Sequence, residues 1–306
     1  MSTGNQNLKV IVRGSYDVQK LRIQMGNRIV INFKSKLGQE PSQREEDGLD
    51  SEGKLLLKTL RSSYRKLTDG LKTFPTLRKF KGDEVISTYT ELCLLKQYIE
   101  LEGFEVDHFK KLGMILKSYP IYAHYLLKVK GVGPAMAGVI VSEIDIHKAK
   151  YPSCLWAYAG LDVAPDGKGR SRRAEHLVES EYTSKDGEVK TKKGITFNPF
   201  LKTKLVGVLG GSFLKAGENK YSEIYYNYKN RLEQHAVYKD VSKGHRHNMA
   251  VRYMVKQFLV DLHTVWREIE GLEVAIPYSE AKLGLKHGKP AREKRTIKSE
   301  KTKKDK

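Results

Sequence analysis

The 306-residue sequence predicts a mainly α-helical protein: a helical stalk or coiled-coil-like pair leading into a helical domain with a helix-hairpin-helix motif and a small β-hairpin insertion. Three observations carry this. Apolar residues return every three to four positions over most of the chain, the spacing that lines one face of a helix. Only one stretch, around Leu177 to Tyr182 with a turn at Lys185-Asp186-Gly187, alternates with the period of two that a strand needs. Glycine and proline gather in a few short breaks between the periodic segments.

From the N-terminus, Ser15 reads as an N-cap. Val18, Leu21, Met25, Ile29, Phe33 and Leu37 form a helical stripe that Gly38 closes, so a helix is expected over about 15–37. Residues 39–50 are polar and turn-rich and read as a linker, after which Ser51 caps a helix striped by Leu56, Leu60, Tyr64, Leu67 and Leu71. Pro75 breaks the pattern. A long helical region resumes near Asp83 with Val85, Ile86, Tyr89, Leu92, Cys93 and Ile99 at near-heptad spacing, and a second segment from Val106 to Leu116 follows Gly103. Such a seam needs a covering helix, supplied either within the chain or by a second copy, so a homo-oligomer through the stalk is one expectation.

The most informative stretch comes next. Two apolar helical segments, Pro120 to Leu127 and Pro134 to Ile144, flank Lys128-Val129-Lys130-Gly131-Val132-Gly133. Side chains would block so tight a turn, and the two glycines leave backbone N–H groups uncovered beside a helix start, where unpaired donors and the positive dipole end suit a phosphate oxygen. Lys128, Lys130, Gly131, Val132 and Gly133 are therefore candidate DNA-binding residues that position a backbone without reading its sequence. Ala135, Ala137 and Gly138 are small enough for close helix packing. Beyond a short helix ending at Gly160 lies a Gly/Arg-rich loop in which Lys168, Arg170, Arg172 and Arg173 form a compact phosphate-pairing cluster, joined downstream by Lys202 and Lys204 as further candidate contacts. Helices over Pro199–Leu214, Glu218–His235 and His245–Glu270 complete the folded part.

Charge points the same way. The formal net charge is +20 and the pI about 9.6. Residues 286–306 hold ten Lys or Arg against Glu293, Glu300 and Asp305, which leaves +13 on residues 1–285, so the body itself is basic. Such a surplus favours a polyanion partner with salt-sensitive affinity. No run approaches the roughly 18–20 apolar residues of a membrane span, and the N-terminus lacks a signal-peptide core, so a cytoplasmic, nucleic-acid-associated protein with no membrane partner is expected. Cys93 and Cys154 stand outside any CxxC or CxxH spacing and read as buried thiols, with no zinc site.

The order of blocks KGVGPAMAGVIVSEI, LWAYAGLD, the Gly/Arg-rich loop, NPFLKTKLVGVLGGSFLK, a Tyr-rich helix and MAVRYMVKQFLVDLHTVW resembles the C-terminal domain of the insertion-sequence 110/116/902 transposases and their Piv-type invertase relatives, over roughly residues 85–270. That resemblance implies DNA transposition or site-specific recombination. In the family a serine of the C-terminal domain is the nucleophile, and four carboxylates of an N-terminal RuvC-like domain bind Mg²⁺. Lys168-Gly169 stands where the family carries Ser-Gly, and Ser171, three residues on, is the candidate catalytic residue. The first carboxylate of the tetrad should follow an N-terminal strand. The one candidate, Asp17 after Val10-Ile11-Val12, reads instead as an acid in the first turn of a helix. No cofactor is evident in the chain, and Mg²⁺ enters only if a catalytic partner supplies the acidic site.

Other constellations read as structural. His245-Arg246-His247 suits a helix start or a phosphate contact better than a metal pair. Glu143 and Asp145, two apart, do not share a helix face and read as solvated. Tyr221, Tyr225 and Tyr228 lie on one helix face and read as core. The division expected is a basic helical region over 1–82, a stalk over 83–127, a transposase-like domain over 128–275 and a basic, disordered tail over 276–306. The partner expected is DNA, most naturally duplex, with structured RNA the alternative and a non-catalytic binding module the alternative function.

Overall fold

The computed structural model describes residues 3–39, 48–69 and 74–274. The basic tail and most of the 39–50 linker lie outside the described residues. The protein is mainly helical with one two-stranded antiparallel sheet, and no described helix is long and apolar enough to cross a membrane.

Two long helices form the frame. Helix α1 (Thr3–Lys36) is about 51 Å long at 1.5 Å per residue, and α3 (Tyr89–Leu116) runs antiparallel to it. The N-terminal half of α1 meets the C-terminal half of α3 through Leu8, Val12, Leu112 and Leu116. Its C-terminal half meets Leu92, Leu95 and Tyr98 through Ile29. Ion pairs repeat this register, Arg22 with Glu105 and Lys36 with Glu91. Helix α2 (Ser51–Thr68) adds Leu57 and Leu60 to the second cluster and pairs Arg61 with Glu102 of α3. The seam of α3 is thus covered from within the chain.

Three element boundaries differ from the sequence reading. Helix α1 begins at Thr3 because Leu8 and Val12 have a buried surface to cover, and the Ser15 hydroxyl donates back to Ile11 O at 2.9 Å inside the helix instead of capping it. Asp17 consequently sits in mid-helix. The cap of α2 is Asp50, whose carboxylate accepts the Gly53 N–H at 2.7 Å. Helix α3 starts after a Thr88/Glu91 capping box and runs unbroken through Gly103, while Asp83 closes its own turn by accepting the Val85 and Ile86 N–H groups.

The second half packs around α5 (Pro134–Glu143), which is buried from Met136 to Glu143 because every face meets another element. Gly138 permits this: a Cβ there would stand 2.9 Å from Leu112 and 3.0 Å from Val12, so the small residue serves the approach of α3 and α1. Of the other helices, α4 (Pro120–His124) packs on α5, whereas α6 (Pro152–Tyr158) and α9 (Lys220–Gln234) pack on the long α10 (Lys243–Ile269), which also meets α4. Pro199–Thr203 (α7), a wider π-type stretch Lys204–Leu209 and Gly210–Lys215 (α8) follow one another without interruption as a rod. The sheet pairs β1 (Val178–Thr183) with β2 (Val189–Gly194) in the register Val178 opposite Gly194, turning at Gly187 with φ +82°.

Candidate nucleic-acid interface

The turn between α4 and α5 uses its two glycines differently. Gly131 takes φ +90°, and its missing Cβ leaves room for Phe213 of α8, whose Cδ1 would be 2.9 Å away. Its carbonyl accepts the Ser212 hydroxyl at 2.6 Å. Gly133 has an ordinary φ of −88°, is exposed, and has open space where a side chain would stand. It is the N-cap of α5 without a side-chain cap, so after Pro134, which has no N–H, the N–H groups of Ala135 and Met136 receive no oxygen from a cap. Lys128 and Lys130 are exposed beside it and line one cleft with Lys220 and Tyr221, and Val132 is partly buried against the core.

The Gly/Arg-rich loop folds over α7 and α10. Arg170 donates through Nε and Nη2 to Asp162 Oδ2, both at 2.8 Å. Its carbonyl accepts Lys202 Nζ at 2.5 Å and Arg252 Nη2 at 3.5 Å. Lys256 lies one turn further along α10, over the Trp156 ring. These cations gather around a single carboxylate, and Asp162 Oδ1 is buried with no hydrogen bond among the described residues. The electrostatic result is visible in the amines. Burial, with Arg252 next, pushes Lys202 down to about 8, and the same two causes lower Lys256. A Cβ at Gly169 would collide with Arg252 Nη1, so a side chain there would displace the Arg252 guanidinium.

Arg252 and Lys256 were missed in the sequence reading. Their signal was a basic pair at i, i+4 on the apolar α10 pattern, which by itself looks like a solvated helix edge. Lys168, Arg172 and Arg173 are exposed on the same loop. Lys204 does not join the cluster: its ammonium sits 3.4 Å from the centre of the Tyr16 ring, and burial followed by Arg13 lowers its pKa.

Ser171 is partly exposed at the centre of the loop. Its backbone N–H donates to His176 Nδ1 at 2.9 Å, and its Oγ lies 2.9 Å from the same nitrogen. His176 Nε2 is 3.1 Å from Asp166 Oδ2. A backbone N–H only donates, so Nδ1 is the acceptor and the neutral ring carries its proton on Nε2, facing Asp166. The His176 side chain is 1% exposed. The Lys168 N–H, and after it the His176 ring, hold the Asp166 carboxyl below the usual range. Sequence spacing gave no notice of this trio, because neither an i, i+5 nor an i, i+10 separation belongs to a regular element.

The other singled-out residues are accounted for locally. Glu143 is not solvated. Its fully buried carboxylate accepts Arg13 at 2.6 Å and Asn198 at 2.7 Å and lies 3.1 Å from Lys9. Asp145 caps a short turn through the His147 N–H. His247 Nδ1 meets the Tyr225 hydroxyl at 2.6 Å, Tyr221 and Tyr225 are buried, and Tyr228 stacks on Tyr253. Among the described residues no three His, Cys, Asp or Glu side chains come together as a metal set, and the N-terminal part is helical, so the described chain does not fit a Mg²⁺-binding acidic tetrad. Compared with protein-family models, with curated proteins and with solved structures, the chain matches none.

Proposed function

We propose that this chain is a DNA-binding protein of the transposase or recombinase type. It grips duplex phosphates through a helix-hairpin-helix at Lys128 to Gly133 and through the basic loop, with Ser171 as the nucleophile where strand transfer occurs. The observation that carries the reading is the half-buried gathering of Arg170, Lys202, Arg252 and Lys256 around the one carboxylate of Asp162. Keeping like charges together away from water is unfavourable, and a polyanion relieves it. The rod that bears Lys202 also bears Ser212, which holds Gly131. Ten residues of that rod, six of them in the wider π-type stretch, separate Lys202 from Ser212, so at no more than 1.5 Å per residue the two proposed contact sets are at most about 15 Å apart along it.

A non-catalytic binding module, on DNA or structured RNA, is the second reading, favoured by the helical N-terminal part where a metal-binding sheet is needed for the full reaction. Retention on duplex DNA and on structured RNA at several salt concentrations separates these. The first reading expects tighter retention on duplex DNA, with the salt slope falling by about 2 in Lys128→Ala/Lys130→Ala. Equal weak binding to both nucleic acids removes DNA recombination. A salt slope unchanged in the double variant removes the hairpin from the interface.

A further inference from the structure

We propose that His176 is the base that takes the Ser171 hydroxyl proton when Ser171 attacks a phosphodiester, and that Asp166 positions the imidazole and supports its charge. This rests on the reading of Ser171 as nucleophile given above and adds two residues to it. A nucleophile, a base within 2.9 Å and an orienting carboxylate within 3.1 Å on the opposite ring nitrogen form the arrangement that activates a hydroxyl. The burial of the parts differs as that task requires. The imidazole is 1% exposed and cannot wander, whereas Ser171 is reachable from solvent. The Arg173 N–H contacts Ser171 Oγ at 3.3 Å, and Arg172 and Arg173, next in the chain, are exposed.

The step balances within these groups. The Oγ–P bond forms and the P–O bond to the departing strand breaks. The Oγ proton passes to Nδ1 and from there to the departing oxygen. In the free protein Nδ1 has one lone pair shared by the Ser171 hydroxyl and the Ser171 N–H. The ring takes a proton there only when the N–H turns to another acceptor, and a phosphoryl oxygen of the bound substrate, before attack, is such an acceptor. Activation is therefore tied to an occupied site. A clasp that merely closed the loop needs the N–H contact alone. It needs neither the hydroxyl at the same nitrogen nor a charged group behind the ring.

The test uses the full chain and an alkyl fluorophosphonate, an electrophile at phosphorus that needs no DNA sequence. Ser171 Oγ displaces fluoride, the proton leaves through Nδ1 to water, and mass spectrometry reads the labelled peptide. The exposed Ser180 of β1 is the internal reference. Labelling of Ser171 is expected about 100-fold faster than of Ser180, the low end of what a positioned base supplies. His176→Gln, whose amide oxygen still accepts the Ser171 N–H but takes no proton, is expected to bring Ser171 down to the Ser180 rate. Asp166→Asn keeps an oxygen for the Nε2–H and is expected to lose about tenfold by removing the charge. Wild-type Ser171 reacting no faster than Ser180, or equal rates in wild type and both variants, overturns the assignment. Retention of the same preparations on duplex DNA is scored separately. Failed labelling with intact retention removes the base and leaves DNA binding standing, and intact labelling with lost retention does the reverse.

Discussion

Replacing Gly131 by alanine tests the packing of the α4–α5 turn. At φ +90° an L-residue costs about 1–2 kcal/mol in backbone strain. The new Cβ would stand 2.9 Å from Phe213 Cδ1 and 3.2 Å from the backbone N and Cα of the same residue. Neither neighbour yields easily. Phe213 is fully buried, with ring centroids 4.6 Å from Tyr221 and 5.4 Å from Phe258, and the α8 backbone is tied to Gly131 O by Ser212. Overpacking of this kind costs roughly 1–3 kcal/mol. The two contributions total about 2–5 kcal/mol, a large part of the roughly 5–15 kcal/mol a folded chain commands. Urea denaturation followed by circular dichroism reads the loss. Gly133→Ala is the control, with φ −88° and no atom within 4 Å of the added carbon, and is expected within about 0.5 kcal/mol of wild type. A Gly131→Ala midpoint equal to wild type, or equal losses in both variants, refutes the close approach of α8. Gly133→Val then probes the exposed helix start without unfolding the turn.

Arg13→Ala removes two of the hydrogen bonds to the buried Glu143 carboxylate and is expected to destabilise by about 2 kcal/mol. That is less than a fully buried pair commands, because Arg13 is half exposed and Lys9 and Asn198 remain, and thermal melting checks it. Burial pushes Glu143 upward, but Arg13, Asn198 and Lys9 outweigh it and hold the group below its ordinary 4.5. Its contribution is therefore full above 4.5 and is lost as pH falls through the lower folded value, and acid titration of Arg13→Ala should show a shallower loss there. Lys202, with a pKa of about 8, loses its charge in the free protein above that pH. Phosphate raises the pKa of a bound ammonium, so duplex retention should weaken from pH 7 to pH 9 in wild type and less so in Lys202→Arg, as fluorescence anisotropy would read. An identical pH slope in the two proteins removes Lys202 from the contact.

Local and periodic features were legible in the sequence. The helical stripes, the one alternating segment and its Asp186-Gly187 turn are properties of residues close in the chain, and the structure has helices and a single ribbon at those places. Boundaries were less legible where a remote surface decides them. Ser15 looks like a cap until Leu8 and Val12 are given α3 and α5 to cover. Gly103 looks like a break until the helix on either side is held by α1. Glu143 looks solvated until Arg13, 130 residues earlier, reaches it.

The sequence by itself determined the helical class, the basic surplus and the stretches rich in glycine and arginine, because each follows from composition or from spacing within one element. The tertiary structure decided which charges share a site. It brought Arg252 and Lys256 of α10 to the Arg170 loop, diverted Lys204 to the Tyr16 ring, gave Gly131 to Phe213 and set His176 between Ser171 and Asp166. The physical reason is common to all four. Burial and a partner's distance set whether a cation, a glycine or an imidazole is free to act, and both are fixed by residues far apart in the chain.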